Sequence, residues 1–275
     1  MQHVPVETLR NTNAIQVTGN QRIAQPASQM RKITPKMTLG DGDTQVFCMK
    51  FSDNDQYLAS GYGDGMTRIY NTATGKLSYS LQSFNTGDDM PVTCLAWRPT
   101  SQALKTANIL VTGSAEGAIR HWHATSGKCL HQRIEDDNHV YTLDFNNDGT
   151  LLASAGRDKK IRVYDETTKS LAFEMQELAD LPGHSNRVFC VKFNKAEPNM
   201  IISGGWDNTV QIYDTRYRGP VASMYGPHIC GDCMDIRSDG YTLLTGSYRQ
   251  DDAIEVYDLR MRRRTRVIAW EGSGN

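Results

Sequence analysis

The sequence predicts an all-β protein assembled from five similar units, on three observations. A motif of the form apolar-x-x-apolar-x-aromatic returns five times at intervals of roughly 42 to 52 residues. Each copy is followed by a small-residue pair and an acidic turn residue. Each then enters an alternating segment that ends in an aromatic and a polar residue, the signature of a half-buried strand after a tight turn. A period of this size marks units that bury their faces against one another.

The copies follow in order. The first runs Val46 to Phe51, Leu58-Ala59-Ser60-Gly61, Asp64, and Thr67 to Asn71. The second runs Val92 to Trp97, Val111 to Ser114, Glu116, and Ile119 to His123. The third runs Val140 to Phe145, Leu152 to Ala155, Asp158, and Ile161 to Asp165. The fourth runs Val188 to Phe193, Ile202 to Gly205, Asp207, and Val210 to Asp214. The fifth is looser: Cys233 to Ile236, Leu244 to Ser247, Asp251 or Asp252, and Ile254 to Asp258.

Each copy resembles a WD repeat, the four-stranded antiparallel blade of a β-propeller, and the resemblance covers about residues 44–270. The Trp-Asp pair itself is absent: Tyr70, Tyr164, Tyr213 and Tyr257 stand for Trp, and His123 follows Trp122. Blades are expected at about 44–82, 90–133, 138–176, 184–224 and 228–270, after an N-terminal arm over 1–43. Loops 83–89 and 100–107 are enlarged. The arm is polar and aperiodic, the composition of an extended or disordered segment. Within it Met37-Thr38-Leu39 is a candidate edge strand against blade five. Propellers of this family usually have seven blades, so five copies imply an arc and a sequence that is a fragment, with a closed five-bladed ring as the alternative.

With 275 residues, a net charge of −1 and a pI near 6.6, no whole-molecule field draws the chain to a membrane or to specific nucleic acid. No segment reaches the roughly 20 apolar residues of a membrane helix, and no leader pattern opens the chain. The expected location is cytoplasmic, with the cytoskeleton or cilium as its setting. Six cysteines spread through the repeats are expected as reduced thiols; Cys48, Cys94 and Cys190 share one inner-strand position.

Val46, Met49 and Phe51 cannot share a face by strict alternation, so a one-residue bulge after the first valine is required. It projects Phe47, Thr93, Tyr141 and Phe189 from the rim. The resemblance puts these on the partner-binding face, beside Gly63, Ala115, Arg157 and Trp206, and aromatics and Arg are what binding hot spots use. The competing reading is that these rings only pack against neighbouring blades. The resemblance also makes His184, Ser203, Asp207 and Tyr213 a structural hydrogen-bond tetrad, with Tyr in place of Trp, and makes blade four the most rigid. The recurring turn carboxylates Asp64, Asp158 and Asp207 are read as caps for their own backbone.

Cys230-x-x-Cys233 lacks the second pair a zinc site needs. Arg260 to Arg266 is the strongest basic run, placed on the turn before the last strand of blade five, with Arg262, Arg263 and Arg264 at its tip. It is either a solvated hairpin or a dock for an acidic surface such as a tubulin tail or nucleic-acid phosphate. No phosphate-cradling loop, nucleophile elbow or His-Glu-x-x-His is present, so no enzyme, metal or cofactor is expected. The expected function is a non-catalytic interaction scaffold in a multi-subunit assembly, preferably cytoskeletal or ciliary. The alternative is a substrate receptor of a cullin–RING ubiquitin ligase, because Ile201 to Arg216 resembles the adaptor-binding box of such receptors and Tyr257-Asp258-Leu259-Arg260 repeats its ending.

Overall fold

The computed structural model describes residues 36–40, 42–82, 90–100, 107–175, 177–178 and 181–269. Most of the expected arm, the enlarged loops at 83–89 and 101–106, and Trp270 lie outside the described residues.

Every regular element among the described residues is a strand. Blade one contains β1 (Val46–Phe51), β2 (Tyr57–Tyr62), β3 (Thr67–Asn71) and β4 (Leu77–Leu81). Blade two contains β5 (Val92–Trp97), β6 (Ile109–Ser114), β7 (Ala118–His123) and β8 (Lys128–Ile134). Blade three contains β9 (Val140–Phe145), β10 (Leu151–Gly156), β11 (Ile161–Asp165) and β12 (Ser170–Glu174). Blade four contains β13 (Val188–Phe193), β14 (Met200–Gly205), β15 (Thr209–Asp214) and β16 (Gly219–Tyr225). Blade five contains β17 (Met234–Ile236), β18 (Thr242–Gly246), β19 (Ile254–Asp258) and β20 (Arg263–Ile268). Each sheet is four-stranded, antiparallel and in sequence order, the blade of a WD-repeat β-propeller.

The turn carboxylates explain why β2 reverses into β3 in so few residues. Asp64 accepts the Met66 N–H at 3.0 Å, Asp158 that of Lys160 at 3.2 Å and Asp207 that of Thr209 at 3.1 Å. Each side chain replaces a backbone acceptor in the turn. The bulge sits where the apolar spacing requires it. Pairing skips one residue between Val46 and Cys48, between Val92 and Cys94 and between Val188 and Cys190, and it shifts in blade three at Val140.

The core lies between sheets. Val92 and Leu95 of blade two pack on Ala59, Ile69 and Leu81 of blade one, and Val140, Leu143 and Phe145 pack on Val111 and Ile119. Val188, Val191 and Phe193 pack on Ala153 and Val163, and Ile229, Met234 and Leu243 on Ile202, Val210 and Ile212. One design thus recurs four times: an inner-strand apolar row set on the middle strands of the preceding blade. Two halves of it are bare. Val46, Met49 and Phe51 are 49, 59 and 60% exposed, whereas their blade-three counterparts Val140, Leu143 and Phe145 are at 0, 5 and 5%. At the other side Leu244 is 43% exposed, whereas Ala59, Val111, Ala153 and Ile202 are all at 0%.

Met37 and Leu39 lie against blade one rather than blade five. A Cβ on Gly75, whose φ is +70°, would stand 3.0 Å from Met37 Sδ and 3.3 Å from Leu39 Cδ2. Their backbone forms no strand, because a turn offers no ladder to extend.

Candidate protein-interaction face

One hydrogen bond, repeated in every blade, builds the rim. The Gly63 N–H donates to Gln45 O at 2.9 Å, Ala115 to Pro91 at 3.0 Å, Arg157 to His139 at 3.0 Å, Trp206 to Arg187 at 3.0 Å and Tyr248 to His228 at 3.0 Å. In blades one to four the bond ties the residue after the second strand to the residue before the inner strand. In blades three and four the approach is so close that only glycine fits beside it. A Cβ on Gly156 would stand 1.9 Å from His139 O, and one on Gly205 would stand 2.2 Å from Arg187 O.

In blades three to five these positions fuse into one row of rings. His139 meets Tyr141 edge-on at 6.1 Å, and Tyr141 stacks on Phe189 at 4.6 Å and 5°. Phe189 then stacks on Trp206 at 5.1 Å, and Trp206 on His228 at 6.2 Å. Arg187 lies over the Trp206 ring at 5.1 Å, and the Trp206 indole N–H points to Cys230 Sγ at 3.1 Å. Arg157 reaches His139 Nε2 at 3.2 Å. Burial and then the charges of Arg157 and Arg187 lower the His139 pKa, so its neutral ring accepts that contact. Of the expected face, Tyr141, Phe189, Trp206 and Arg157 come together. Phe47 stands outside the row, its ring beside Gly63, and Thr93 turns its hydroxyl onto Gly113 O at 3.1 Å. His139, Arg187 and His228 were missed from sequence. The signal for them was the position before the inner-strand apolar residue.

Blade five replaces the single bulge residue by three, Cys230-Gly231-Asp232, between buried Ile229 and half-buried Cys233. The insertion swings Asp232 to the mouth of a central cavity of about 740 Å³ lined by residues of all five blades. Asp232 pairs there with Lys50 of blade one, and with Lys192 of blade four at 2.5 Å. Its burial opposes ionisation, but Lys192 and Lys50 overcome that and hold its pKa at about 2. Behind Lys192, burial pushes the Asp144 carboxyl up to about 6 against the pull of that lysine and of the Phe193 N–H. The C-x-x-C is therefore an enlarged bulge. Among the described residues no group of His, Cys, Asp or Glu is placed to hold a metal.

In blade four three of the four polar residues meet directly. His184 Nδ1 lies 2.8 Å from Asp207 Oδ2 and Nε2 lies 2.6 Å from Ser203 Oγ, and Tyr213 is buried on the next strand. Blade three, which lacks the Gly-His pair, has its own network around buried Glu135. That carboxylate accepts from Ser154 at 2.5 Å, Tyr164 at 2.7 Å, Asn138 at 2.6 Å and Arg162 at 3.2 Å. Blade five uses buried Glu255, which accepts from Tyr257 at 3.0 Å and pairs with Arg249 at 2.5 Å and Arg264 at 2.6 Å.

That last contact corrects the reading of the arginine run. Arg263, Arg264 and Arg266 lie on β20 rather than at a turn tip, because β20 begins at Arg263. Arg264 bridges Glu255 and Asp252. Arg262 occupies the turn at φ 54°, and Arg263 is exposed. Arg216 and Arg260 share one geometry two residues after the strand-end Asp: Arg216 pairs with Asp214 at 2.5 Å, and Arg260 with Asp258 at 3.1 Å.

Comparison with known proteins places this architecture. The family pattern described as "WD domain, G-beta repeat" matches residues 78–123, 127–165 and 175–214, and the "Anaphase-promoting complex subunit 4 WD40 domain" matches 33–100. The chain is 24% identical over 235 residues to the LEC14B homolog of Prunus armeniaca, covering 78% of this chain and 46% of that protein. It is 28% identical over 169 residues to the COMPASS component SWD3 of Saccharomyces cerevisiae, covering 62% of this chain and 48% of that one. The yeast target of rapamycin complex subunit LST8 is 32% identical over 108 residues, covering 39% of this chain and 34% of its own length. The chain thus spans less than half the length of these relatives. A chain in a crystal structure of the mitotic checkpoint complex shares the fold with a TM-score of 0.66 at 19% identity, covering 80% of this chain and 62% of that one. With its repeats matched at these residues and its five four-stranded sheets in common register, the chain belongs to the WD-repeat family.

Proposed function

We propose that the protein is a non-catalytic interaction scaffold whose partner seats on the aromatic row of blades three to five. The carrying observation is the continuous stack from Tyr141 through Phe189 to Trp206, which keeps Trp206 37% exposed beside Arg187. A surface of this kind concentrates binding energy in a few preorganised side chains. Relatives named as subunits of COMPASS and of the target of rapamycin complex support a role inside an assembly. The setting we favour is a docking subunit of a cytoskeletal or ciliary complex. A ligase substrate receptor is the second reading, favoured by the matched, exposed Asp-x-Arg pairs of Arg216 and Arg260.

Purified tubulin and a purified cullin–RING adaptor, each immobilised, separate the two settings. Retention on tubulin that falls at least tenfold in Trp206→Ala and Phe189→Ala supports the first. Retention on the adaptor that falls in Arg216→Ala and Arg260→Ala supports the second. Unchanged binding in Trp206→Ala and Phe189→Ala, with a lowered melting temperature, would make the row a packing feature.

A further inference from the structure

We infer that the ring ladder of blades three to five recognises an acidic, extended segment of a partner protein. This rests on the reading of that row as the partner face. The stacking geometry selects the chemistry. Phe189 lies between Tyr141 and Trp206, and Trp206 between Phe189 and His228, so the faces of both rings are already covered. What Trp206 offers solvent is its edge, the positive side of an aromatic quadrupole. Edges favour carboxylate oxygens. A nucleic-acid base needs an open face on which to stack, and the interior of this row has none.

The charges agree. Arg157 and Arg187 flank the row, and neither has a carboxylate partner among the described residues. The nearby carboxylates are committed elsewhere: Asp158 to Arg162 at 2.5 Å, Asp207 to His184, and Asp232 to its two lysines. The row is therefore a positive edge with no counter-charge of its own, next to apolar ring carbon. An extended strand carrying acidic residues alternately with apolar ones fits both parts.

The test is fluorescence anisotropy with the full 275-residue chain. The probe is a labelled peptide of alternating Glu and Leu, about ten residues long, enough at roughly 3.3 Å per residue to pass the five rings. The same peptide with Lys for Glu, and a single-stranded oligouridine RNA of similar length, are the comparators. The inference expects saturable binding of the acidic peptide alone. Affinity should fall at least tenfold in Arg157→Glu combined with Arg187→Glu, fall similarly in Trp206→Ala, and weaken as salt rises. Arg262→Ser combined with Arg263→Ser should bind as the parent does. Equal binding of the basic peptide or the RNA overturns the inference, as does an affinity that follows Arg262 and Arg263 instead. If the acidic peptide does not bind while Trp206→Ala still abolishes retention on a purified partner, the charge inference fails and the partner face stands.

Discussion

Among the described carboxyl groups, Asp144 is the one whose burial pushes its pKa up. Its ordinary value is 3.8 and its native value about 6, so between those limits the folded chain holds a proton the unfolded chain has released. Stability therefore falls as pH rises through that window. The Asp144→Asn variant keeps an acceptor for the Phe193 N–H and lacks this titration. Urea unfolding from pH 4 to 7 should show the parent losing stability relative to the variant, with a flat difference above about pH 7. A difference that grows in the opposite direction would place Asp144 as a stabilising anion. The buried networks give a second residue-scale test. Asp207→Ala strands His184 and should cost about 1–3 kcal/mol. Glu135→Ala strands Ser154, Tyr164, Asn138 and Arg162 together and should cost roughly 3–5 kcal/mol, as when one partner of a buried pair is removed. That order runs against the expectation that blade four is the most rigid.

At the scale of the element, the rim depends on how closely two strand ends approach. Gly205→Ala forces a methyl against Arg187 O and should cost about 1–3 kcal/mol by overpacking. Because the same contact positions Trp206 on Phe189, its indole emission should shift in the variant even where the fold persists. An unchanged spectrum and midpoint would mean the strand end yields without moving the ring. On β20, Arg264→Ser removes a partner of buried Glu255 and should lower the melting temperature, whereas Arg262→Ser and Arg263→Ser should leave it in place. Equal effects at the three positions would mean that the Arg264 bridge contributes nothing.

At the scale of the whole molecule, the inter-blade interface among the described residues is made four times and left bare twice. Exposed apolar strands of this kind draw in other chains. The chain on its own is expected to self-associate by light scattering. Met49→Lys with Phe51→Lys, and separately Leu244→Lys, should each reduce association without lowering the melting temperature, since neither site packs against a neighbour. A monodisperse, monomeric parent chain would show that both faces are covered in solution.

What the residues alone determined is what depends on neighbours close in sequence or on the repeat itself. The repeat count follows from the motif that returns five times, and the bulge from Val46, Met49 and Phe51, because side-chain parity along a strand leaves no other register. The turn carboxylates followed from chemistry confined to three or four residues. The same locality failed at Arg260 to Arg266, where a basic run was legible but its partner Glu255 lay across a hairpin. Only the tertiary structure decided which rim residues meet. Tyr141, Phe189 and Trp206 come from two blades and stack with a histidine of a third, so their adjacency depends on how sheets pack. Asp232 shows the same limit. Its three-residue insertion is visible in sequence only as a loosened copy, and its role arises because the inner strands of four blades and the Cys230-Gly231-Asp232 segment converge on one cavity and bring Lys50 and Lys192 within reach.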